Sequence, residues 1–534
     1  MRRLIVFLSF LPFVGYAQTL QPRPSEVIDV VNYKFRVEVN DSTDRIECIA
    51  DITARVIKSA TEIQLDLIGK TSGKGMQVTE VKSKNAALKF AHQNNKVAVS
   101  FPKTLTVGDQ LSFSVKYNGI PADGLIISKN KFGDRTFFAD NWPNRGRNWL
   151  AIIDHPADKA SVDWEIIAPV HYEVIANGVR VEESFLNKKQ KLTRYKEEAP
   201  ISTKVMVVGI ARFAIEQAGV VDGIPVETWV YPQQRLDGFS DFSVATKILD
   251  FFHNHVGPYS YKKLANVQSK TTFGGLENAS AIFYNENYVT GVGKYEMTVA
   301  HEVAHQWFGD SASEKDWPDV WLSEGFATYF AILFAEFTYG EERRQQEMIT
   351  DRTQVLKYYQ TDPSPIVITN EPDPMKLLTA NSYQKGSWFF HMLRREVGDK
   401  AFWTGIRNYY REFKDSNAQT SDFQRIIENA SGKQLGTMFN QWLYKAGHPV
   451  IEVGWTYDDA AKTLKLDVKQ LKKDAIFEFP LEIGVFGSNS PVPTIEKVYI
   501  NRESQVLEVK TASKPEKIVL DPNVNLLFDG KLKN

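Results

Sequence analysis

Cysteine is almost missing from this sequence. Cys48 is the only one among 534 residues, so no disulfide can form within the chain. It lies in a strand-like run, Arg45-Ile46-Glu47-Cys48-Ile49-Ala50, where packing is a simpler role than that of a reactive thiol. Surplus charge is missing as well. The 64 Lys and Arg stand against 65 Asp and Glu, a net charge of −1, which argues against a polybasic membrane patch and a nucleic-acid face. There is no internal repeat and no low-complexity segment. Past the first residues, no apolar run is long enough to cross a bilayer. Residues 329–337 come nearest, but they carry Glu336 and read as a buried helix. What is present is apolar mass: 43% hydrophobic with 12% aromatic residues, ample for several cores. The length predicts three or four domains.

The amino terminus reads as a targeting segment. Arg2 and Arg3 precede an apolar stretch over residues 4–16 that ends in Gly15-Tyr16-Ala17. These are the basic, apolar and small-residue parts of a secretory signal, with cleavage expected after Ala17. The protein is therefore expected to be exported (periplasmic, at the cell surface or secreted), with no membrane span after cleavage.

Residues 25–230 alternate apolar and polar positions between turn residues, as in Tyr33-Lys34-Phe35-Arg36-Val37, and predict a large, mostly β domain. Lys188, Lys189 and Lys191 fall between two such runs and read as a solvated hairpin loop. From about Phe239 the spacing becomes helical and stays so to Tyr444. Gly447-His448-Pro449 breaks it, after which short strands return and fit a small β-sandwich. The expected division is a signal peptide over 1–17, an amino-terminal β domain over 18–230, a mixed α/β domain over 231–446 and a carboxy-terminal β-sandwich over 447–534.

Histidine is scarce, nine in all, yet two of them stand four apart in His301-Glu302-Val303-Ala304-His305. That spacing places both imidazoles on one face of a helix. The segment after His305, Gln-Trp-Phe-Gly-Asp-Ser, supplies no third histidine. Glu324, in Trp-Leu-Ser-Glu-Gly-Phe-Ala, lies on the next predicted helix, which Trp317-Pro318-Asp319 should open as turn and N-cap. Two His and one Glu suit one Zn²⁺ and leave a fourth position for water. Glu302 is too close to His301 to share its metal and can take the proton of that water. Upstream, Phe273-Gly274-Gly275-Leu276-Glu277-Asn278 puts two glycines before a carboxylate, which lets backbone approach a ligand closely.

The order Gly-Gly-Leu-Glu-Asn, then His-Glu-Val-Ala-His, then Glu after eighteen residues, resembles the aminopeptidase N family of gluzincin zinc peptidases. Other segments share the likeness. Phe251-Phe252 with Gly257-Pro258-Tyr259 is similar to the start of the family's catalytic domain. Asp154-His155-Pro156 and Ala176-Asn177-Gly178 are similar to its amino-terminal domain, and Tyr383-Gln384-Lys385-Gly386 to its catalytic-tyrosine segment. The resemblance spans about residues 30–530. It implies a saddle-like β domain followed by a thermolysin-like α/β catalytic domain. It also implies that Glu277 binds the free α-ammonium of a peptide, with Gly274, Gly275, Leu276 and Asn278 as further substrate contacts, and that Tyr383 hydrogen-bonds the developing oxyanion. The expected substrates are peptides with a free amino terminus; the oligomeric state is left open.

Leu276 stands where the family pattern has Met, a change of shape but not of class. The family's glutamine beside the amine has no counterpart at a matching place; Asp140 or Asn141 is the nearest candidate, and an inward Asp140 would favour cationic amino termini. The chain ends about 85 residues after Pro449, so the long helical domain of larger members is not expected and the site should be more open. Three Asn-x-Ser matches, at Asn40, Asn278 and Asn429, read as accidental because one lies inside the Gly-Gly motif. Three other readings share the metal site: a zinc endopeptidase, an epoxide hydrolase of the leukotriene type, and a non-catalytic peptide-binding module.

Overall fold

A computed structural model describes residues 24–472, 476–487 and 491–533. The expected signal peptide over 1–17 lies outside the described residues.

The amino-terminal part is β-rich. Its largest sheet has eight strands. Ile28–Glu38 lies near the centre, antiparallel to Ile46–Val56 and parallel to Lys159–Pro169. Alternation decides its faces: Val30, Tyr33, Phe35 and Val37 are buried while their neighbours reach outward. Cys48 pairs in register with Tyr117 and is buried. Burial pushes its thiol up from its ordinary value, away from the thiolate that reactivity needs. Leu125–Lys129, Arg135–Ala139, Glu173–Ala176 and Val208–Ala211 form a separate four-stranded sheet.

The second unit opens with a mixed five-stranded sheet: β1 (Ala214–Val221), β2 (Ile224–Val230), β3 (Leu264–Ser269), β4 (Gly275–Leu276) and β5 (Ala281–Asn285), in spatial order β1-β2-β3-β5-β4. The division expected at 230/231 runs through this sheet, because β2 pairs in parallel with β3. Period-two alternation identifies a strand but not the sheet it joins. β4 is the sheet's edge.

Helices follow: α1 (Glu296–His305), α2 (Trp321–Tyr339), α3 (Glu341–Tyr359) and α4 (Gly386–Val397). Among the described residues, the segment around α2 is long and apolar enough to span a membrane. Here it is enclosed by protein, with fourteen of its residues buried. Asp319 does not cap it. A tight turn over Trp317–Asp319 precedes it, capped by Asp316, and Asp319 instead accepts from the N–H and hydroxyl of Thr420 at 2.9 and 2.7 Å. α2 and α4 cross at Gly325 and Gly386, where a Cβ on Gly325 would stand 3.0 Å from the Cα of Gly386. Two residues without side chains permit that approach, and it brings the Asn381–Lys385 turn beside Glu324.

The last part holds two sheets. One is built on Val450–Asp458 and Thr463–Gln470, the other on Phe479–Phe486 and Thr494–Ile500. Both bury apolar residues, among them Val453, Leu466, Leu481 and Ile483.

Candidate metal centre and substrate cavity

α1 places His301 and His305 one turn apart, and α2 brings Glu324, the fourth residue of its buried first turn, to them. The two Nε2 atoms stand 3.0 Å apart, and Oε2 of Glu324 lies 3.5 Å from His301 Nε2 and 3.3 Å from His305 Nε2. Ligands on a tetrahedral Zn²⁺, at about 2.0–2.1 Å each, stand about 3.3–3.4 Å from one another. The three donors therefore have the spacing of a zinc site with one position left over. The far side of each imidazole is also held. Nδ1 of His305 faces the Phe308 carbonyl at 3.0 Å and the Ser323 hydroxyl at 3.1 Å, and Nδ1 of His301 faces the Thr328 hydroxyl at 3.5 Å. Such outer contacts fix ring orientation and tautomer.

Charge points the same way. Burial disfavours a charged His305, but Glu324, Glu277 and Glu302 outweigh it and push its pKa up to about 10. Burial, then the like charges of Glu277 and Glu324, raise Glu302 well above the usual carboxylate range. Three buried carboxylates around two imidazoles are short of positive charge, which a divalent cation supplies.

A cavity of about 170 Å³ opens over these groups. His301, Glu302, His305 and Glu324 form one wall, and Gly274, Gly275, Leu276 and Glu277 the other. Trp142, Phe273, Leu378 and Tyr383 close the sides. Gly275 is required at its place, since a Cβ there would overlap the Glu302 carboxylate. Glu277 is 5% exposed, and its Oε1 is buried with no hydrogen-bond partner. An orphaned carboxylate oxygen beside a cavity is arranged for a cation. The Tyr383 ring stacks on His301 with centroids 5.9 Å apart. Burial and then Glu324, Glu277 and Glu302 hold its hydroxyl well above its ordinary pKa, so it stays a proton donor.

Two expected contacts fall elsewhere. Asn278 is fully buried and does not line the cavity. Neither Asp140 nor Asn141 reaches it. Asp140 is paired with Arg145 and accepts from the Thr271 hydroxyl at 3.2 Å and the Thr272 N–H at 3.1 Å. Asn141 accepts from Trp149 at 2.8 Å and donates to the Met206 carbonyl at 2.6 Å. The wall residues from these regions are Trp142, one step further on, and Leu378, for which no motif gave a sign.

Residues 30–205 match the Peptidase M1 N-terminal domain, and residues 240–442 match the Peptidase family M1 domain. The chain belongs to peptidase family M1. The M1 catalytic match begins after β1 and β2, so the strands that join the two units fall between the two matches. Among similar proteins, a glutamyl aminopeptidase of Rattus norvegicus is 24% identical, covering 96% of this chain and 56% of its own length. Probable aminopeptidase 2 of Sulfurisphaera tokodaii is 25% identical, covering 90% and 62%. Aminopeptidase M1 of Arabidopsis thaliana is 24% identical, covering 75% and 50%. This M1 chain thus spans between half and two thirds of the length of these relatives.

Proposed function

We propose that the protein is a zinc metallo-aminopeptidase that removes the amino-terminal residue from peptides. The unpartnered Oε1 of Glu277, in the same cavity as the His301, His305 and Glu324 donors, carries this reading. A cation-seeking group fixed beside a hydrolytic metal site sets which peptide bond is presented.

One Zn²⁺ held by His301, His305 and Glu324 would supply a Lewis acid for a water and for the scissile carbonyl. Glu302, buried and aligned by its contact with Gly275, takes the proton of the attacking water and passes it to the leaving amine. Tyr383 donates a hydrogen bond to the carbonyl oxygen as that oxygen becomes negative. Glu277 pairs with the substrate ammonium and fixes its distance from the reacting carbon. β4, with one edge unpaired, can accept the extended peptide as a further strand. Leu276, Trp142 and Phe273 give the first side chain an apolar surround.

The larger frame belongs to the same proposal: a saddle-like β domain, a thermolysin-like catalytic unit from β1 to residue 446, and a β-sandwich over 447–534. Export through the 1–17 segment would place the activity outside the cytoplasm; sequencing the amino terminus of the mature protein should then begin at Gln18, and a start at Met1 would refute it.

The test is a panel of aminoacyl arylamides, with and without a zinc chelator. Chelator-sensitive release from free-amine substrates is expected, and release from none of them sinks the enzyme reading. Cleavage that survives acetylation of the substrate amine would instead support a zinc endopeptidase.

A further inference from the structure

Gln306 directly follows His305 and is fully buried. Its Nε2 donates to the backbone carbonyl of Glu277 at 2.7 Å and to Oδ2 of Asp310 at 2.8 Å. Its Oε1 accepts from the Ser280 N–H at 2.8 Å and the Tyr259 hydroxyl at 3.2 Å. A primary amide has two N–H donors and two acceptor lone pairs, so this side chain is saturated. Two of its four bonds close on the 277–280 segment, one at each end. That segment also needs holding, because Ser280 lies at φ 60°, in the left-handed region where a serine is uncommon.

The segment is also pinned by Asn177 of the amino-terminal part and by Lys263, just before β3. Nδ2 of Asn177 donates to the Ala279 carbonyl at 2.7 Å, and Nζ of Lys263 to the Ser280 carbonyl at 3.0 Å. Glu277 therefore stands on backbone clamped between the end of the metal-ligating helix and a fixed asparagine. Through Gln306, the amine-binding carboxylate and the two imidazoles share one rigid support.

We propose that Gln306 is a positioning residue that sets the distance between the metal donors and the Glu277 carboxylate, and so confines cleavage to the first peptide bond. This rests on the aminopeptidase reading above. An α-aminoacyl substrate separates its ammonium from the scissile carbonyl by one carbon, and a β-aminoacyl substrate by two. A site that measures this separation rejects the longer one. A misplacement of about 1 Å can cost about a hundredfold in rate. Loosening the clamp should therefore cost the α-substrate most and narrow the discrimination. If Gln306 only filled space, its loss would reduce both substrates alike.

The experiment compares the parent with Gln306→Met, which keeps the length and removes all four bonds, and with Gln306→Glu, which keeps the acceptor, loses the donors to Glu277 and Asp310, and sets a carboxyl against Asp310. Each is assayed on alanyl, β-alanyl and N-acetylalanyl p-nitroanilide, with zinc content measured alongside. For Gln306→Met we expect KM for the alanyl substrate to rise about tenfold with kcat changed less, zinc content unchanged, and the α-to-β ratio of kcat/KM to fall about tenfold. Gln306→Glu should move the ratio the same way. An unchanged ratio, or loss of zinc as the source of the defect, overturns the proposal. If circular dichroism shows both variants unfolded, Asn177→Ala loosens the same segment and must shift the ratio; a constant ratio there also overturns it. A parent that cleaves the acetylated substrate as fast as the free one refutes the aminopeptidase reading itself, whatever the variants do.

Discussion

The carboxylate of Glu302 lies against the Cα of Gly275, with no room for a methyl group between them. Under the proposed mechanism this glycine would serve the base as well as the substrate strand. Gly275→Ala should push the Glu302 carboxylate out of the place in which the proposed mechanism uses it as base. We expect kcat to fall about a hundredfold, within the range a general base contributes, while zinc content stays at the parent level. A variant with parental kcat would show that Glu302 has slack.

Ser323 precedes Glu324 and turns its hydroxyl to Nδ1 of His305 at 3.1 Å. Ser323→Ala removes one of two contacts that orient this ring; the Phe308 carbonyl at 3.0 Å remains. Outer contacts of this kind carry about 10–100-fold in metal affinity, so a loss of about tenfold is expected. Competition with a chelator of known affinity measures it, and an unchanged affinity would assign the ring's orientation to Phe308 alone.

Tyr383→Phe keeps the stacking on His301 and removes only the hydroxyl. The expected result is a fall in kcat of about a hundredfold or more with KM within about twofold, the pattern of a donor used in the transition state. Steady-state kinetics on one good arylamide decides it; a rise in KM with kcat intact would make Tyr383 a binding group instead.

How much of this was readable from the chain depends on where each position is decided. His301, His305 and Glu324 were legible because one helical turn fixes the pair and the third donor follows in a recognisable helix. Glu277 and Tyr383 acquire meaning only in company, through family resemblance, since a lone Gly-Gly-x-Glu or a lone tyrosine says little. Trp142 and Leu378 were not legible at all: their roles arise from three-dimensional neighbourhood. Asp140 looked available because sequence shows a carboxylate but not its partner, although Arg145, five residues on, was in plain view. The same limit moved β1 and β2 to another sheet.

Asp154 tests the electrostatics of the β-rich part. Burial raises its carboxyl to about 7, against the pull of Arg147. An unfolded aspartate titrates near 3.9, so between about pH 4 and 7 the folded chain keeps a proton that the unfolded chain has released. Stability then falls as pH rises through that window, by up to about 1.4 kcal/mol per pH unit for this group. Asp154→Asn keeps an oxygen for the Arg147 N–H that now donates at 3.0 Å and removes the titration. Calorimetry from pH 5 to 8 should show a shallower decline of Tm than in the parent. Some slope should persist, because burial also raises Asp158 to about 7. A slope equal to the parent's would mean that Asp154 does not titrate there.

Trp142 should govern which amino-terminal residues are accepted. Its ring lines the cavity and is itself wedged against Trp317, with centroids 5.7 Å apart, and Phe273, 6.4 Å apart. The ring occupies room a larger substrate side chain would need. Trp142→Leu shortens the wall while keeping it apolar, which avoids the full cost of about 3–5 kcal/mol for truncating a buried aromatic to alanine. The ratio of kcat/KM for phenylalanyl over alanyl arylamide should rise about tenfold, the scale of discrimination that apolar pockets achieve. Asp140→Asn is the contrast. Its carboxylate is engaged by Arg145, Thr271 and Thr272 and does not line the cavity, so the ranking of substrates should stay as in the parent while Tm falls. A reversed outcome, with ranking moved by Asp140→Asn and untouched by Trp142→Leu, would place the side-chain pocket on the other face of this segment.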